Sequence, residues 1–370
     1  MEIKIARNEL LKSVSKVQSI IERKSTMPIL STILLAASGS TLHISATDLE
    51  LGFQQKINAD IIKEGTITIS GKTLFEILKE SKKEKFHIRE KENNWVFISD
   101  GSARYNLACL PADEYPSLVE PEELNTVEIK GELLSDMITK TIFSVNIEDT
   151  GFKLSGVFTE KIENKGEMFL RMVSTDGHRL SMIDKFIPGI ETLDLEHGVM
   201  LPKKGLSELN KLASEGEPVQ IGFKQKTCVA KRKNTLLLIR LLESHFPDYN
   251  DIIEEPEFTF PINRISLLEV MRKMLIISNE RYRSIKITLE NNSMDIVSIN
   301  PDLGEAQETI QVEYNNEPLV LGFNARYFVD TLNVMKSEIV TLGFIDNSKP
   351  CIITGDSDTG FLGMIMPMRL

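Results

Sequence analysis

The sequence has few of the residues that build disulfide frameworks, redox sites and membrane spans. Its 370 residues include three cysteines, Cys109, Cys228 and Cys351, which are isolated and far apart. An odd number of separated cysteines argues against a disulfide framework or a CxxC site, so we interpret them as small buried hydrophobic side chains. No apolar run approaches the roughly 18 residues that cross a bilayer, and the N-terminus lacks the apolar stretch of a signal peptide. We expect a cytoplasmic protein without membrane association.

Motifs of common catalytic sites are missing or incomplete. Residues 70–73 (SGKT) resemble the end of a phosphate-binding P-loop, but Thr66 stands where that loop needs glycine. Residues 356–360 (DSDTG) resemble part of a calcium loop without its final glutamate, so we interpret them as a hairpin turn. The five histidines are scattered, with neither a nucleophile elbow nor an HExxH motif. We therefore expect no enzyme, no metal and no cofactor, while dispersed acidic residues that hold Mg²⁺ for nucleic-acid chemistry stay an alternative.

The sequence does contain an amphipathic helix pattern that recurs six times. Its spacings are 64, 61, 71, 62 and 59 residues, and the copies begin near Asn8, Lys72, Leu133, Lys204, Ser266 and Ala325. Each copy is short and apolar on one side, which is typical of a helix that covers a sheet. A chain of this length exceeds one ordinary core, and two helix copies per domain predict three domains.

Strand signals fill the gaps between the helix copies. Alternating or β-branched runs predict strands at 41–47, 94–100, 220–225, 236–243, 284–290 and 339–345. Turn signals such as Glu92-Asn93-Asn94 and Asn291-Asn292 bound these runs. The gaps are too short for crossover connections, so the strands are expected to form antiparallel hairpins.

Segments that match one another show where each repeat begins and ends. Residues 45–53 (SATDLELGF) correspond to 173–183 (VSTDGHRLSMI) and more loosely to 297–305 (VSINPDLGE). We predict an α+β fold of three repeated domains, each with two helices packed on antiparallel sheets. Their predicted borders are 1–125, 126–253 and 254–370.

Charge is unevenly distributed along the chain. The helix copies and the residues next to them carry a net charge of +10, whereas the whole chain carries −11. If all six helices line one surface, that surface is basic and suited to sequence-independent contact with phosphates. The third copy, with Glu132 and Asp136, does not conform, and solvated lysines with no ligand are the alternative interpretation.

Two further motifs break the repeat. The first is TDGHRL at 175–180, and the second is the apolar C-terminal run MIMPMRL at 364–370. Chain termini are normally polar and frayed, so an apolar terminus is expected to pack or to bind something. Methionines beside proline and leucine suit a groove that accepts several related peptides.

Together with the threefold layout, these motifs resemble the bacterial sliding clamp family, the β subunits of DNA polymerase III. The resemblance covers the whole chain: TMPIL and TDLE in the first repeat, TDGHRL and FPDY in the second, and IISNERYR, GFNARY and MPMRL in the third. It implies a non-catalytic processivity factor, a head-to-tail homodimer that closes into a ring with twelve helices inside and a continuous sheet outside. A β-rich peptide-binding scaffold that does not bind DNA is the second alternative.

The resemblance also implies site residues. The partner-peptide groove would comprise Leu154, Thr175, Gly177, His178, Arg179, Leu180, Pro247, Ile252, Asn324, Tyr327, Met364, Met366, Pro367, Met368, Arg369 and Leu370. The dimer interface would comprise Arg104, Tyr105, Leu107, Ile276, Ile277 and Glu305. DNA contacts would come from Lys24, Arg281, Tyr282 and Arg283, while Glu148 stands in a DNA-facing loop where a neutral polar residue can occur.

The partners implied by the resemblance are mostly macromolecules of replication and repair. They are double-stranded DNA, a second copy of the chain, the DNA polymerase III alpha subunit, the delta subunit of the clamp loader, translesion polymerases, ligase and mismatch-repair proteins. The incomplete P-loop agrees with this, because a separate ATP-driven loader would open the ring.

Overall fold

The computed structural model of the chain describes residues 1–21, 26–145 and 155–369. Six α-helices lie in these ranges: Arg7–Val17 (α1), Gly71–Glu80 (α2), Gly131–Ile142 (α3), Lys203–Ala213 (α4), Arg264–Ile277 (α5) and Ala325–Val334 (α6). Each begins within two residues of its predicted start, so the sixfold helix pattern is confirmed.

The same ranges contain 25 strands. The first ten are Glu2–Ala6 (β1), Thr32–Ser38 (β2), Thr41–Thr47 (β3), Leu51–Asn58 (β4), Asp60–Lys63 (β5), Gly65–Ser70 (β6), Lys85–Lys91 (β7), Trp95–Ser99 (β8), Arg104–Ala108 (β9) and Thr126–Ile129 (β10). The next seven are Gly156–Asn164 (β11), Glu167–Thr175 (β12), Arg179–Phe186 (β13), Val199–Pro202 (β14), Val219–Lys224 (β15), Thr227–Arg232 (β16) and Thr235–Arg240 (β17). The last eight are Phe258–Asn263 (β18), Ser284–Glu290 (β19), Ser293–Asn300 (β20), Gly304–Gln311 (β21), Leu319–Asn324 (β22), Ile339–Phe344 (β23), Cys351–Gly355 (β24) and Phe361–Ile365 (β25).

The predicted strands and turns agree with the structure. Strands β3 and β19 have the predicted bounds, and all pairings between the described strands are antiparallel. Asn93, Asn94, Asn291 and Asn292 have φ values between 48° and 60°. Asparagine tolerates this left-handed conformation better than most residues, which explains why these pairs form the hairpin turns.

The chain divides into two compact units. The first contains residues 1–131, 192–194 and 215–241. It holds a five-stranded sheet in the order β5-β1-β7-β8-β9 and an eight-stranded sheet in the order β10-β15-β16-β17-β4-β3-β2-β6. Strands of the first and second sequence repeats therefore share one sheet, in which β4 pairs with β17.

The second unit contains residues 132–191, 195–214 and 242–370. Its eight-stranded sheet has the order β14-β11-β12-β13-β25-β24-β23-β18, and a four-stranded sheet has the order β21-β20-β19-β22. Here β13 of the second repeat pairs with β25 of the third. Each unit is thus built around a sheet that joins two consecutive repeats.

A turn that follows the same pattern in all three repeats supports their equivalence. The side-chain oxygen of Thr47 accepts a hydrogen bond from the backbone N–H of Leu49, two residues later, at 3.0 Å. Thr175 accepts from Gly177, and Asn300 accepts from the residue two positions later, both at 3.0 Å. Leu49 has a φ of 74° and Gly177 a φ of 85°. Only the second repeat places glycine, which adopts this φ without strain, at that position.

The cysteines agree with their interpretation as small hydrophobic side chains. All three are free; Cys228 and Cys351 are buried, and Cys109 is half-buried. Burial raises the pKa of the Cys228 thiol to about 12 and that of the Cys109 thiol to about 11. Such thiols are protonated and unreactive at neutral pH.

No helix in the described ranges is long and apolar enough to span a membrane.

Candidate functional site

The TDGHRL motif forms a rigid hairpin between β12 and β13. The Thr175 hydroxyl donates to the carbonyl oxygen of Arg179 at 2.6 Å and accepts from the N–H of Gly177 at 3.0 Å. Asp176 Oδ1 accepts from the backbone N–H groups of His178 and Arg179 at 3.0 and 3.1 Å. These local bonds hold the backbone of the turn and leave His178 exposed at its tip.

Arg179 joins this hairpin to α6 and to the residue that follows α3. Its Nε donates to Asp176 Oδ2 at 2.9 Å, its Nη1 to Asp330 Oδ2 at 2.8 Å, and its Nη2 to the carbonyl of Phe143 at 3.1 Å. The guanidinium lies 4.6 Å from the ring centre of Tyr327 and 5.2 Å from that of Phe143. Its planar fork therefore serves as a wall of the site, with each nitrogen bonded within the protein.

The apolar tail packs on its own fold. Strand β25 pairs with β13, so Met364 lies opposite Leu180. Beyond the strand, the Met366 N–H donates to the His178 carbonyl at 2.9 Å and the Met368 N–H donates to the Gly322 carbonyl at 2.8 Å. Two backbone bonds thus hold the tail in place beside the hairpin. The expectation that the apolar end packs is confirmed for Met364 and Ile365, which are buried, whereas Met366 and Arg369 are exposed.

An apolar cluster lies beneath the hairpin and the tail. It contains the buried residues Val173, Leu180, Met182, Tyr249, Ile352 and Met364. Phe246 packs against the cluster, stacks on Phe158 with ring centres 5.3 Å apart, and meets Tyr249 edge-on at 5.9 Å. Pro247 and Ile252 flank Tyr249 and are exposed. Sequence reasoning did not select Phe246 or Tyr249 as groove residues, although FPDY drew attention to this segment.

Polar groups fix Tyr249 at the edge of this cluster. Its hydroxyl donates to Glu160 Oε1 and accepts from Arg171 Nη1 at 3.3 Å. Arg171 also binds both carboxylate oxygens of Asp184 at 2.7 Å. Burial and the neighbouring Glu160 outweigh Arg171 and raise the pKa of Tyr249 to about 12. The phenol is therefore neutral at physiological pH and keeps its proton for the bond to Glu160.

A depression in the surface adjoins the tail. It has a volume of about 650 Å³ and is lined by Val320, Gly322, Asn347, Ser348, Pro367, Met368 and Arg369. Nearby, Asn324 Oδ1 accepts from the Arg326 N–H at 2.9 Å and caps α6. Sequence reasoning did not select Val320, Asn347 or Ser348, because they lie in loop or strand-edge positions with no distinctive motif.

All described groove candidates lie in the second unit, on the hairpin, the loop after β17, the start of α6 and the tail. Leu154 and Leu370 lie outside the described residues. The assignment of these residues to peptide binding stays a prediction. We name the hairpin, the apolar cluster and the tail together the 175–180/364–369 groove.

The candidate dimer residues lie on two sheet edges and at the end of one helix. Arg104, Tyr105 and Leu107 are on β9, which pairs only with β8 among the described strands. Glu305 is exposed on β21, the edge strand of the four-stranded sheet. Ile276, at the end of α5, is 74% exposed. An edge strand with unpaired backbone groups, and an apolar side chain this exposed, are features that association covers.

The candidate DNA-contacting residues lie in the loop after α5. Arg281 and Tyr282 are exposed, and the Arg281 guanidinium lies 5.2 Å from the centre of the Tyr282 ring. Arg283 has a φ of 49°, and its N–H donates to the carbonyl of Asn279 at 2.8 Å. Lys24 and Glu148 lie outside the described residues.

The helix charges need one correction. Lys12, Lys72 and Lys79 are exposed, as a phosphate-contacting surface requires. Lys140, which was included in the positive surface charge, is only 1% exposed. Its ammonium pairs with Asp136 at 3.0 Å and with Asp358 at 2.7 Å, so it is an internal group of the fold.

The described residues contain no cluster of three or more histidine, cysteine, aspartate or glutamate side chains placed to hold a metal ion.

Comparison with known proteins accounts for this arrangement. Three family models match successive segments of the chain. They are the N-terminal domain of the DNA polymerase III beta subunit at residues 1–119, its central domain at 128–248 and its C-terminal domain at 254–369. The chain belongs to the DNA polymerase III beta subunit family. It is 31% identical to the beta sliding clamp of Haemophilus influenzae, with complete coverage of both chains.

Solved structures of the family have the same fold. The beta subunit of Caulobacter crescentus superposes with a TM-score of 0.94 at 30% identity, and that of Pseudomonas aeruginosa with a TM-score of 0.92 at 31% identity. Both comparisons cover 100% of each chain. The fold is therefore that of three repeated clamp domains, and the chain is a processivity clamp rather than an enzyme. The borders at residues 125 and 253 stay predictions.

Replacement of Arg179 by lysine is expected to weaken peptide binding at the groove about tenfold. A single ammonium cannot bind Asp176, Asp330 and the Phe143 carbonyl together or stack as a plane on Tyr327. The hairpin and α6 then lose their common contact, and the groove walls are less well held. Fluorescence anisotropy of a labelled clamp-binding peptide measures the change.

The matched control is Arg326→Lys, because Arg326 is exposed and binds the same Asp330 at 2.8 Å from the neighbouring turn. It should alter the affinity less than twofold. Equal losses in the two variants would show that the charge near Asp330, and not the Arg179 contacts, governs binding.

Proposed function

We propose that the chain forms a head-to-tail dimer that encircles duplex DNA and tethers a replicative polymerase to it. The observation that carries this proposal is the match of all three clamp domains along the whole chain. A closed ring is held on DNA by its topology, so its contacts with phosphates can be weak enough to allow sliding. Tethering keeps the polymerase at a high local concentration near the primer end, which converts dissociation into rapid rebinding.

The proposed ring closes where β9 of one copy meets β21 of the other. Both strands are edges of their sheets, so backbone pairing across the interface would extend the sheet. Exposed Arg104 and exposed Glu305 have opposite charges, and Ile276 offers apolar area to Tyr105 and Leu107. Ile277, half-buried beside Ile276, would complete this contact.

Ile276→Asp is expected to convert the dimer into monomers, because the substitution places a charge in the apolar part of the interface. Light scattering should report a change from about 84 kDa to the 41.8 kDa of one chain. Ile265→Asp is the control, since Ile265 is 45% exposed at the other end of the same helix. A mass that stays near 84 kDa in Ile276→Asp would place the interface elsewhere.

The proposed DNA contacts are electrostatic and independent of base sequence. Lys24, Arg281 and Arg283 would contact phosphates, with Tyr282 beside Arg281. The exposed lysines of α1 and α2 would add to this field. No metal or cofactor takes part, and the loader that opens the ring would be a separate protein.

The 175–180/364–369 groove would bind short linear motifs of partner proteins. Apolar side chains of a motif would enter the apolar cluster, and exposed polar groups at the rim would fix its backbone. We assign to it the DNA polymerase III alpha subunit and the delta subunit of the clamp loader. Translesion polymerases, ligase and mismatch-repair proteins would bind there in turn, in the cytoplasm.

Retention on circular DNA tests the ring. After loading onto a nicked circle, the protein is expected to stay bound in about 0.5 M salt, because screening removes phosphate contacts but not topological linkage. Linearising the circle should release it within the time of one gel-filtration run. Equal loss from intact and linear DNA would refute encirclement, and the Ile276→Asp variant provides a protein that cannot close.

A further inference from the structure

One face of the five-stranded sheet combines exposed aromatic and basic side chains. In this sheet, Ile3, Phe86, Ile88, Val96 and Ile98 are buried on the face that forms the core. The opposite face presents the alternate residues of each strand. Its residues on β5, β7 and β8 take no part in the proposed groove, ring closure or duplex contacts, whereas Arg104 on β9, at the edge of the same face, belongs to the proposed ring closure.

Strand register aligns these side chains across the sheet. Lys63 on β5 lies opposite Glu2 on β1, and Glu2 lies opposite Arg89 on β7. Arg89 lies opposite Phe97 on β8, which in turn lies opposite Asn106 on β9. Directly paired residues point to the same side of a sheet, so Glu2, Arg89, Phe97 and Asn106 form one row. The register between β1 and β5 shifts next to Glu2, and Lys63 lines the same depression as Glu2 and Arg89.

The next row contains Trp95, whose aromatic ring is exposed. Lys91 lies opposite Trp95, and Trp95 is 44% exposed. Phe97 is half-buried: the Arg89 guanidinium lies 5.6 Å and the Lys91 ammonium 5.4 Å from the centre of its ring. Lys91 also donates to Asn106 Oδ1 at 2.7 Å. Phe97 therefore holds the two cations in place, while Trp95 keeps an accessible surface beside them.

A depression of about 820 Å³ lies over these rows, lined among others by Lys63, Arg89, Lys91, Trp95 and Asn106. Because residues two apart on a strand are separated by about 6.6 Å, Trp95 and the Arg89–Phe97 pair would meet different parts of one extended ligand.

Acidic side chains also line the depression, and two of the three have positive or hydrogen-bonding partners. Glu2 binds His87 Nε2 at 2.7 Å, and Glu90 pairs with the amino group of Met1. Glu92 lies in the turn between β7 and β8. Of the cations that line the depression, Arg89 and Lys91 lie on β7, next to the strand that carries Trp95, and Lys63 lies on β5, on the far side of β1.

We propose that this sheet face binds single-stranded nucleic acid. Unpaired bases would stack on Trp95, and phosphates would contact Lys63, Arg89 and Lys91, with Asn106 as a polar partner at the edge. An aromatic side chain flanked by cations on an exposed sheet is the arrangement that recognises unstacked bases without reading their sequence. A paired duplex does not offer base faces to such a surface, so the ligand class differs from the one proposed for the ring.

The single tryptophan makes the test specific to this site. Trp95 is the one tryptophan in 370 residues, so its intrinsic fluorescence reports stacking there and no binding elsewhere. The intact chain is titrated with dodecamers of deoxythymidylate and of uridylate in about 50 mM salt. Saturable quenching by either oligomer supports the proposal, and the stronger quencher identifies DNA or RNA as the source. The affinity should fall as salt rises, since phosphate contacts release counterions.

Arg89→Ala/Lys91→Ala is expected to weaken the quenching titration at least tenfold. The matched control is Lys130→Ala/Lys286→Ala, which removes the same charge at two exposed positions outside the face and should leave the titration within twofold of the parent. Thermal unfolding and light scattering verify that both variants fold and associate alike. A dodecamer of glutamate is added as a competitor in the quenching titration, to test whether the face binds an acidic peptide as well as a nucleic acid.

Absence of saturable quenching by both oligomers, quenching unchanged in Arg89→Ala/Lys91→Ala, or equal competition by the glutamate dodecamer would each overturn the proposal. Retention on circular DNA separates this outcome from failure of the ring. Arg89→Ala/Lys91→Ala should be retained like the parent protein, because these residues lie outside the proposed duplex contacts.

Discussion

Deletion of residues 366–370 is expected to weaken binding of a clamp-binding peptide by about 100-fold while leaving the fold and the dimer intact. The deletion begins just after β25, so the pairing of Ile365 with Arg179 is preserved. It removes the two backbone bonds to His178 and Gly322 and with them one wall of the depression beside the tail. A 100-fold change corresponds to about 2.7 kcal/mol, which is the range expected when a few apolar contacts with a ligand are lost.

Anisotropy titration with a labelled peptide measures this loss, and light scattering and thermal unfolding verify the fold. Met368→Ala should reproduce part of the effect, because Met368 lines the depression beside the tail. Met27→Ala is the matched control, since Met27 is 45% exposed and belongs to the first unit. An affinity within threefold of the parent after the deletion would remove the tail from the binding site.

Lys140→Ala is expected to destabilise the second unit by about 3–5 kcal/mol, because it leaves a buried carboxylate without its counter-charge. Asp358 is buried and accepts hydrogen bonds from the N–H groups of Lys336 and Ser337 and from the Ser337 hydroxyl. The ammonium of Lys140 forms an ion pair with Asp358 at 2.7 Å. For a unit of this size, the loss corresponds to a fall in melting temperature on the order of 10 °C.

Lys336→Ala is the matched control. Lys336 binds Asp136 at 2.6 Å with a side chain that is 68% exposed, so its removal should cost less than about 1 kcal/mol. Differential scanning calorimetry compares the two variants. Similar melting temperatures would show that burial of Lys140 contributes nothing beyond a surface pair.

The pH dependence of stability offers a second readout of the same pair. Burial opposes ionisation of Asp358, but hydrogen bonds from Lys140, Ser337 and Lys336 outweigh it and lower the pKa from 3.8 to about 2. A carboxyl with a lowered folded-state pKa contributes stability that is fully present above pH 4 and is lost as the pH falls through about 2. In Lys140→Ala, burial acts on Asp358 without the neighbouring ammonium, so the folded-state pKa should rise and this pH-dependent contribution to stability should become smaller than in the parent.

Periodicity predicted the helices because their partners are local in sequence. One face of each helix is apolar, so the predicted starts fell within two residues of the observed ones. Hairpin turns were predictable for the same reason, since Asn93-Asn94 and Asn291-Asn292 carry the required conformation in their own side chains. Register, in contrast, pairs segments far apart, and the sequence offers no local sign of β4 beside β17 or of β13 beside β25.

The errors have the same physical origin. Lys140 has the sequence context of a solvated helix lysine, and its burial depends on Asp358, which is distant in sequence and lies in a turn that resembled a calcium loop. Phe246 and Tyr249 were not singled out in the sequence because their packing depends on Phe158, Glu160 and Arg171 on other strands. The groove candidates came from family resemblance, which supplies positions without the contacts that hold them.

The shared sheets have a consequence for how the chain can be divided. The borders of the sequence repeats do not coincide with the borders of the two compact units. A cut at residue 125 or 253 would separate two repeats but would also divide an eight-stranded sheet. An isolated central repeat would carry β17 and β13 as bare edges, each of which is a template for pairing with other chains. We therefore expect the single repeats to aggregate when produced alone. The smallest fragments that keep a sheet whole contain the strands of two consecutive repeats. We therefore expect a fragment that spans the junction between two repeats to fold alone, and a single repeat not to.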